Sequence, residues 1–377
     1  MSNLQEIFER NDNKNSYLTH SLHPYPAKFP PPLPRYLLKH YARPGQTVLD
    51  PFCGSGTTLV EARIAGVNAV GVDVNGLSVL LSKVKATPLD AAQLDEIENF
   101  VGEIRNQTLY WTFGNKPAVK VKEIEGLNHW FQSNVAEEIS FLLDKIEERS
   151  DKDVRDFLQI VLSSIIVRVS NQESDTRFAA ISKDTKDCLT FELFAAKANE
   201  YAKRIAEFSA LATRETTLAI TNADSRDLSF LEGESVDLIV TSPPYANTYD
   251  YYLYHKFRKR WLGLDVHFAQ YNEIGSRREF SSLKKDSSKW NEDLTKCFVQ
   301  MNRVLKPGGL AFIVIGDSII NKELIKIDGV ISDFAPSVGF SVDEIISEDL
   351  AKHSRIFNPA FAKKGKQEHL IKLRKQI

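Results

Sequence analysis

The 377-residue sequence predicts an α/β protein with a mostly parallel sheet of about seven strands and a helical insertion. Three observations support this fold class. A strand, a glycine turn, a helix and a second strand follow one another over residues 47–73, which is the order that begins a βαβ unit. Apolar residues recur at helical spacing between about residues 90 and 216. Strand-like apolar segments return after residue 216, so the helical segment interrupts one α/β domain.

The elements before the insertion begin with an extended segment. Residues 23–32 contain five prolines, and proline removes an amide donor and clashes with the preceding helical turn. A short helix is expected over residues 33–40. The elements that follow are predicted as a strand, a helix and a strand: Thr47–Asp50, Thr57–Ala65 and Val67–Asp73.

The later strands are short apolar runs bounded by turns. Five are predicted: Thr217–Asn222, Ser235–Thr241, Leu310–Ile315, Phe340–Ile346 and His369–Leu373. A Lys-Pro-Gly-Gly turn at residues 306–309 precedes the third of them. The chain is accordingly divided into the first half of the core at residues 1–89, the helical insertion at residues 90–216 and the second half of the core at residues 217–377.

The composition is that of an ordinary globular protein, with 42% hydrophobic residues and three cysteines. No apolar run reaches the roughly 18–20 residues of a membrane helix, and the first 15 residues lack the apolar stretch of a signal peptide. A cytoplasmic protein without membrane association is therefore expected. The cysteines have neither disulfide nor zinc spacing, and no metal is expected. The net charge of −2 by itself argues weakly against binding to nucleic acid.

The first candidate site is a glycine turn between a strand and a helix, Asp50-Pro51-Phe52-Cys53-Gly54-Ser55-Gly56-Thr57-Thr58. Glycines let the backbone turn sharply, and the helix start offers free amides to a ligand. Asp73 ends the next strand, where a carboxylate can accept both hydroxyls of a ribose. The turn lacks the Gly-Lys-Ser/Thr ending of a phosphate-binding loop and the early glycines of a dinucleotide site. It therefore predicts a nucleoside cofactor, with an ordinary α/β turn as the alternative.

The second candidate site is Ser242-Pro243-Pro244-Tyr245, which follows an apolar strand. The lone pair of an exocyclic amine on a nucleobase is delocalised into the ring, so an enzyme that methylates the amine must draw its hydrogens onto acceptors. The hydroxyl of Ser242 and the carbonyl of Pro243, held rigid by Pro244, are two such acceptors. Tyr245 can stack on an extruded base. The alternative is an edge turn whose prolines only end the strand.

Together and in this order, the two motifs resemble those of the S-adenosylmethionine-dependent amino methyltransferases of DNA, which modify N4 of cytosine or N6 of adenine. Residues 23–29 (His-Pro-Tyr-Pro-Ala-Lys-Phe) look like the family's segment that closes over the methionine end of the cofactor. Residues 223–226 (Ala-Asp-Ser-Arg) are similar to its motif that contacts the adenine ring, and residues 303–317 resemble a helix–turn–strand of its catalytic core. The resemblance covers roughly residues 20–88 and 217–377 and implies a Rossmann-like sheet.

The resemblance also implies the cofactor, S-adenosylmethionine, and the residues of the site. The catalytic residues that it implies are Ser242, Pro243, Pro244 and Tyr245. The cofactor-binding residues that it implies are Tyr25, Lys28, Phe29, Asp50, Pro51, Phe52, Gly54, Ser55, Gly56, Thr57, Asp73, Val74, Asp224 and Ser225.

A segment dense in aromatic and basic residues follows the second motif, over residues 248–261. Such side chains stack on bases and neutralise phosphates, although an amphipathic helix that covers the sheet has the same composition. The predicted DNA contacts are Tyr249, Tyr252, Lys256, Arg258, Arg260, Arg277 and Arg278. The Ser-rich stretch that carries Lys284, Lys285 and Lys289 is expected to be an exposed loop. The basic run at residues 363–366 is expected to be a solvated hairpin tip, with a DNA contact as the alternative.

The charges are unevenly distributed along the chain. Residues 1–245 carry 26 basic and 34 acidic side chains, whereas residues 246–377 carry 22 and 16. Residues 91–218 hold 16 basic and 22 acidic groups, which makes the insertion less suited to phosphates than the catalytic half.

The sequence therefore predicts a site-specific DNA methyltransferase that acts on the N4 amine of a flipped cytosine. Within the family, Ser-Pro-Pro-Tyr is mostly found in cytosine-N4 enzymes and Asp-Pro-Pro-Tyr in adenine-N6 enzymes. Adenine N6, an RNA amine and an inactive cofactor-binding subunit are the alternatives. Methylation of cytosine C5 is excluded, because it needs a nucleophilic thiolate, usually presented after a proline, and none of Cys53, Cys188 and Cys297 follows one. The expected partners are duplex DNA and a cognate restriction endonuclease. The recognition sequence would be read by the insertion, by the loop after Tyr245, or by both.

Overall fold

The computed structural model describes residues 3–9, 17–175, 177–283, 285–349 and 365–377. Within these ranges the α-helices are α1 (Asn3–Glu9), α2 (Pro32–Tyr41), α3 (Thr57–Ile64), α4 (Gly76–Ala86), α5 (Ala91–Thr112), α6 (Leu127–Trp130), α7 (Ser133–Glu147), α8 (Lys152–Val169), α9 (Leu189–Ser209), α10 (Tyr251–Tyr254), α11 (Lys256–Leu262), α12 (His267–Asn272), α13 (Arg277–Ser281), α14 (Ser287–Val304) and α15 (Ile327–Phe334). Two 3₁₀ turns span Leu18–Ser21 and Ala335–Val338.

The strands are β1 (Thr47–Asp50), β2 (Asn68–Asp73), β3 (Gln172–Ser174), β4 (Arg177–Ala180), β5 (Leu218–Asn222), β6 (Val236–Thr241), β7 (Leu305–Gly316), β8 (Ser318–Ile320), β9 (Glu323–Ile325), β10 (Phe340–Asp349) and β11 (Gln367–Lys375). Seven of them form one sheet in the order β10, β11, β7, β6, β1, β2 and β5. The five strands from β7 to β5 are parallel, and β11 runs antiparallel between β10 and β7. The predicted Rossmann-like sheet of seven strands is confirmed.

The sheet is covered on both faces because its central strands alternate between two apolar cores. One core contains Val48, Leu238, Val240, Phe312 and Val314. The other contains Leu49, Ile239, Ala311, Ile313 and Ile371. The first core continues into α5, α7, α8 and α9, whose predicted apolar faces are buried, and α14 packs on the second. The helical segment therefore shares a core with the sheet.

Three local features differ from the predictions. The segment over residues 90–216 also contains an antiparallel hairpin of β3 and β4, whose strands of 3 and 4 residues are too short to show a strand pattern. The turn predicted at residues 306–309 lies inside β7, where the pairing with β6 shifts register and Gly308 has φ +70°. The Ser-rich stretch is largely helical, since α13 begins at Arg277 and the side chain of Asp286 caps the start of α14.

The basic run near the C-terminus is only partly described. Lys284, Lys363 and Lys364 lie outside the described residues. Lys366 is buried rather than exposed at a hairpin tip. Among the helices in the described ranges, none combines the length and apolar character that a membrane crossing requires.

Candidate active site

A cleft of about 810 Å³ lies at the carboxyl ends of the central strands. Asp50 at the end of β1, Asp73 at the end of β2 and Ser242 directly after β6 all line it. The chain places β2 and β5 on one side of β1 and then returns to place β6 on the other. Open α/β sheets bind ligands where the strand order reverses in this way. The two candidate motifs therefore belong to one cavity.

The glycine turn is held to the end of β2 by Asp73. The amide of Gly54 donates to Oδ2 of Asp73 at 2.9 Å, and the amide of Asn75 donates to Oδ1 at 2.8 Å. Burial raises the pKa of Asp73 to about 6, although these two hydrogen bonds oppose the shift. The carboxylate is therefore fixed in orientation and ionised at neutral pH, as an acceptor for ribose hydroxyls must be.

Asp50 joins the glycine turn to the strand that carries the second motif. Its Oδ1 accepts a hydrogen bond from the Thr241 hydroxyl at 2.6 Å and from the amide of Phe52 at 3.1 Å. Burial raises the pKa of Asp50 to about 6. Because Thr241 directly precedes Ser242, this contact fixes the two motifs relative to each other.

Most of the predicted cofactor-binding residues line the cleft, but two do not. Pro51 lies behind the wall, where its carbonyl accepts a hydrogen bond from the Ser225 hydroxyl. Gly56 faces α4, and a Cβ built on it would lie 2.9 Å from Cα of Ser82. The cleft-lining members of the set are Tyr25, Lys28, Phe29, Asp50, Phe52, Gly54, Ser55, Thr57, Asp73, Val74, Asp224 and Ser225.

The proline-rich N-terminal segment forms one wall of the cleft. The Tyr25 hydroxyl lies 2.8 Å from Oγ of Ser78, and its ring stacks on His255 at 5.1 Å. Lys28 donates to the carbonyls of His23 at 2.9 Å and His20 at 3.3 Å. Burial lowers the pKa of Lys28 to about 8. The segment thus places the Tyr25 ring beside Gly54 and the Lys28 ammonium in the same cleft.

The opposite end of the cleft contains all four residues of the Ser-Pro-Pro-Tyr motif. The Tyr245 hydroxyl donates to Oε1 of Glu368 at 2.6 Å. Burial, followed by the negative charge of Glu368, raises the pKa of Tyr245 well above its usual range. The tyrosine is therefore neutral, with its ring on the cleft wall.

The predicted DNA contacts lie in different surroundings. Tyr249 and Tyr252 line the cleft, whereas Arg258 is buried and is a correction to the prediction. The Arg258 guanidinium donates to the Ser163 carbonyl at 2.9 Å and pairs with Asp175. It holds the helical segment to α11 and is not exposed to a phosphate. Arg260 donates to the Glu125 carbonyl at 2.7 Å and pairs with the side chain of the same residue.

Lys256, Arg277 and Arg278 are partly exposed, and none of them lines the cleft. The DNA contacts predicted for these three residues would therefore be made outside the cleft.

Three acidic residues of the cleft were not predicted: Asp175, Glu273 and Glu368. Glu273 accepts hydrogen bonds from the amide of Tyr251 at 2.7 Å and of Tyr252 at 3.4 Å, and burial raises its pKa to about 8. None of the three stands in or beside a motif, so only the folded chain brings them to the site.

The model of the N6/N4 methyltransferase family, described as DNA methylase, matches residues 2–80 and 236–372, which is more than half of the chain. The chain belongs to this DNA methylase family. The match includes both motifs, Asp73 and Glu368. It leaves residues 81–235 of the methylase uncovered, and the whole helical segment over residues 90–216 lies there.

Two curated relatives align with most of the methylase. It is 25% identical to the Type II methyltransferase M.MjaII of Methanocaldococcus jannaschii, over 83% of this chain and 74% of that protein. It is 24% identical to the Type II methyltransferase M.MvaI of Kocuria varians, over 84% of this chain and 80% of that protein. A solved DNA modification methylase of Thermus thermophilus in complex with S-adenosylmethionine is 20% identical, over 41% of this chain and 52% of that one, with a TM-score of 0.26.

Proposed function

We propose that this DNA methylase transfers a methyl group from S-adenosylmethionine to the N4 amine of cytosine in duplex DNA. The observation that carries the proposal is the position of Ser242 and Tyr245 in one cleft with Gly54 and Asp73. One end of the cleft offers a fixed carboxylate and a glycine turn to a nucleoside. The other offers a hydroxyl, a carbonyl and an aromatic ring to a base.

The cofactor is S-adenosylmethionine, which supplies an activated methyl group when it is bound. Asp73 would accept the ribose hydroxyls, and Asp224, which also lines the cleft, would contact the adenine ring. Tyr25, Lys28 and Phe29 would close over the methionine end. The space beside Gly54 supports this assignment, since a Cβ built there would meet no atom closer than the Tyr25 ring at 3.6 Å.

The target base is flipped into the cleft. Pro243 is buried and Ser242 is partly buried, so a base that stays stacked in a duplex cannot reach them. Ser242 and the Pro243 carbonyl accept the two amine hydrogens and free the nitrogen lone pair, while Tyr245 stacks on the ring. Cytosine is favoured because the motif begins with serine, and adenine N6 is the second candidate because its amine has the same geometry.

The remaining roles rest on position and charge. The positive excess of residues 246–377 begins directly after Tyr245, which favours this half of the chain as the DNA-facing surface. The helical segment and the loop after Tyr245 are proposed to read the target sequence. Because two relatives are named as Type II methyltransferases, a restriction endonuclease in the same system is proposed as a partner.

Nucleoside mass spectrometry tests the proposal. Duplex DNA and an RNA of the same sequence are incubated with the protein and methyl-labelled cofactor, and the nucleosides are then separated. The expected product is N4-methylcytosine from DNA alone. Label in N6-methyladenine would show that the target base is adenine and not cytosine. Label in RNA would show that the substrate is not DNA alone. The absence of label would contradict methyl transfer by this chain.

A further inference from the structure

Glu368 is a partly buried acidic residue that lines the Ser-Pro-Pro-Tyr end of the cleft. It lies at the start of β11, 123 residues from Tyr245, and its Oε1 is 2.6 Å from the tyrosine hydroxyl. It lines the cleft together with all four residues of the Ser-Pro-Pro-Tyr motif. Its negative charge also contributes, after burial and the neighbouring Tyr254, to the raised pKa of Tyr249. The electrostatic field of this carboxylate thus acts on two tyrosines of the cleft.

The backbone around Glu368 is fixed by Asp317, which follows β7. Oδ2 of Asp317 accepts a hydrogen bond from the amide of Gln367 at 3.0 Å, and Oδ1 lies 3.0 Å from Nε2 of His369. The amide of Asp317 in turn donates to the Gln367 carbonyl at 2.8 Å. Both chain neighbours of Glu368 are therefore held by one buried residue, which gives the carboxylate a defined position.

Asp317, Asp328 and His369 lie close enough together to hold a metal ion. We do not propose a metal site there, because Asp317 already has other partners. The Nζ of Lys326 donates to Asp317 at 2.8 Å, and the amide of Ile327 donates to it at 3.1 Å. Burial opposes ionisation of Asp317, but hydrogen bonds from His369 and Lys326 outweigh it and lower the pKa to about 2. The carboxylate already has a cation and several donors as partners.

The Ser-Pro-Pro-Tyr motif supplies only neutral groups to a reaction that moves a positive charge. The amine nitrogen attacks the methyl carbon, and the bond from that carbon to sulfur breaks with its electron pair on sulfur. The positive charge passes from sulfur to nitrogen, and the nitrogen then releases one proton to solvent. A fixed negative charge beside the nitrogen stabilises this transfer of charge.

We propose that Glu368 supplies that charge and is the electrostatic partner of the target amine. The inference rests on the proposed methyl transfer but not on the choice of base, because the amines of cytosine and adenine develop the same charge. Glu368 also holds Tyr245 by the hydrogen bond to its hydroxyl. The two roles are separable, since an amide at position 368 still accepts that hydrogen bond but carries no charge.

Single-turnover transfer of a labelled methyl group separates these roles. Glu368→Gln is expected to lower the rate roughly a hundredfold, the scale on which one electrostatic partner contributes in other active sites. Tyr245→Phe keeps the ring and the carboxylate and is expected to cost less than about tenfold. Glu344→Gln, at an exposed position on β10, is the matched control and should keep the wild-type rate. An equal loss in Glu368→Gln and Tyr245→Phe, with no further loss in the double variant, would reduce Glu368 to a support for the tyrosine and overturn the proposal.

A binding measurement provides a readout that does not depend on turnover. Sinefungin carries a cationic amine where the cofactor carries its methyl group, whereas S-adenosylhomocysteine carries a neutral sulfur there. Calorimetry should show that Glu368→Gln lowers the affinity for sinefungin roughly tenfold and the affinity for S-adenosylhomocysteine less than about twofold. Equal affinities of wild type and variant for sinefungin would contradict the electrostatic role.

The outcomes for Glu368 and for the proposed function are distinguishable. If the wild-type protein methylates adenine, the proposed target base is wrong, but the comparison of Glu368→Gln with wild type remains valid. A wild-type protein without any transfer to DNA would overturn both.

Discussion

Asp73 shows how a single carboxylate is prepared for a ligand by the fold around it. Both of its oxygens accept backbone amides, from Gly54 and Asn75, so its plane cannot rotate away from the cleft. Burial raises its pKa to about 6, but the group remains ionised at neutral pH. The motif spacing in the sequence was sufficient to predict the position of this residue. The two amide contacts depend on the paths of the turn and of β2, which no spacing shows.

Asp73→Asn should weaken the binding of S-adenosylmethionine by roughly tenfold to a hundredfold, since a hydrogen bond to a charged acceptor contributes about 1.5–3 kcal/mol. Calorimetry measures the effect, and Asp333→Asn, at an exposed position on α15, is the control. Because the folded-state pKa of Asp73 is about 6, the wild-type affinity should also fall as the pH decreases through 6. Asp50 titrates in the same range in both proteins, so a steeper wild-type profile reports Asp73. Unchanged affinity in the variant would exclude the ribose role.

At the scale of single elements, strands with strong apolar character were the most predictable. β1 has the predicted bounds, and β5 and β6 differ from the prediction by one residue at their starts. The hairpin of β3 and β4 escaped prediction because its strands, of 3 and 4 residues, are too short to show a strand pattern. The residues of the site likewise divide into those that the sequence motifs predicted and those that they did not. The motifs predicted the glycine turn and the Ser-Pro-Pro-Tyr end, whereas Glu368 and Asp175 reach the cleft only because β11 and the hairpin pack there.

Gly56 ties the glycine turn to α4, and its replacement tests that packing. It has φ +81°, and a Cβ would lie 2.9 Å from Cα of Ser82. Gly56→Ala should therefore lower the free energy of unfolding by about 1–3 kcal/mol. Gly102→Ala within α5, where a Cβ meets no atom within 4 Å, should instead raise it by up to about 1 kcal/mol. Denaturant unfolding measures both, and equal stability of the two variants would show that the close approach to α4 is not a constraint.

At the scale of the whole molecule, some of the basic residues that are counted in the sequence are not exposed in the structure. Residues 246–377 carry 22 basic and 16 acidic side chains, but Arg258 and Lys259 are buried. Sequence counts cannot separate a cation that faces solvent from one that supports the core. The positive surface available to phosphates is correspondingly smaller than the count indicates.

Two arginine variants distinguish these kinds of cation. Arg278→Gln should weaken DNA binding and reduce the slope of log affinity against log salt by about 0.9, the value for one phosphate contact. Arg258→Gln removes the same charge from a buried position and should leave that slope unchanged. It should lower the free energy of unfolding by on the order of 2 kcal/mol, since the Ser163 carbonyl loses its donor. Fluorescence anisotropy over a range of salt concentrations measures the slopes. A reduced slope in Arg258→Gln would show that Arg258 contacts DNA after all.

The proposed function places cofactor binding at the glycine turn and methyl transfer at Ser-Pro-Pro-Tyr of the same cleft. Single-turnover transfer of labelled methyl to duplex DNA, at saturating cofactor, tests this most directly with wild type, Ser242→Ala and the exposed-site control Ser337→Ala. We expect wild type and Ser337→Ala to transfer at the same rate, and Ser242→Ala to be slower by about a hundredfold or more because the amine loses an acceptor. A Ser242→Ala protein that transfers at the wild-type rate would contradict the account.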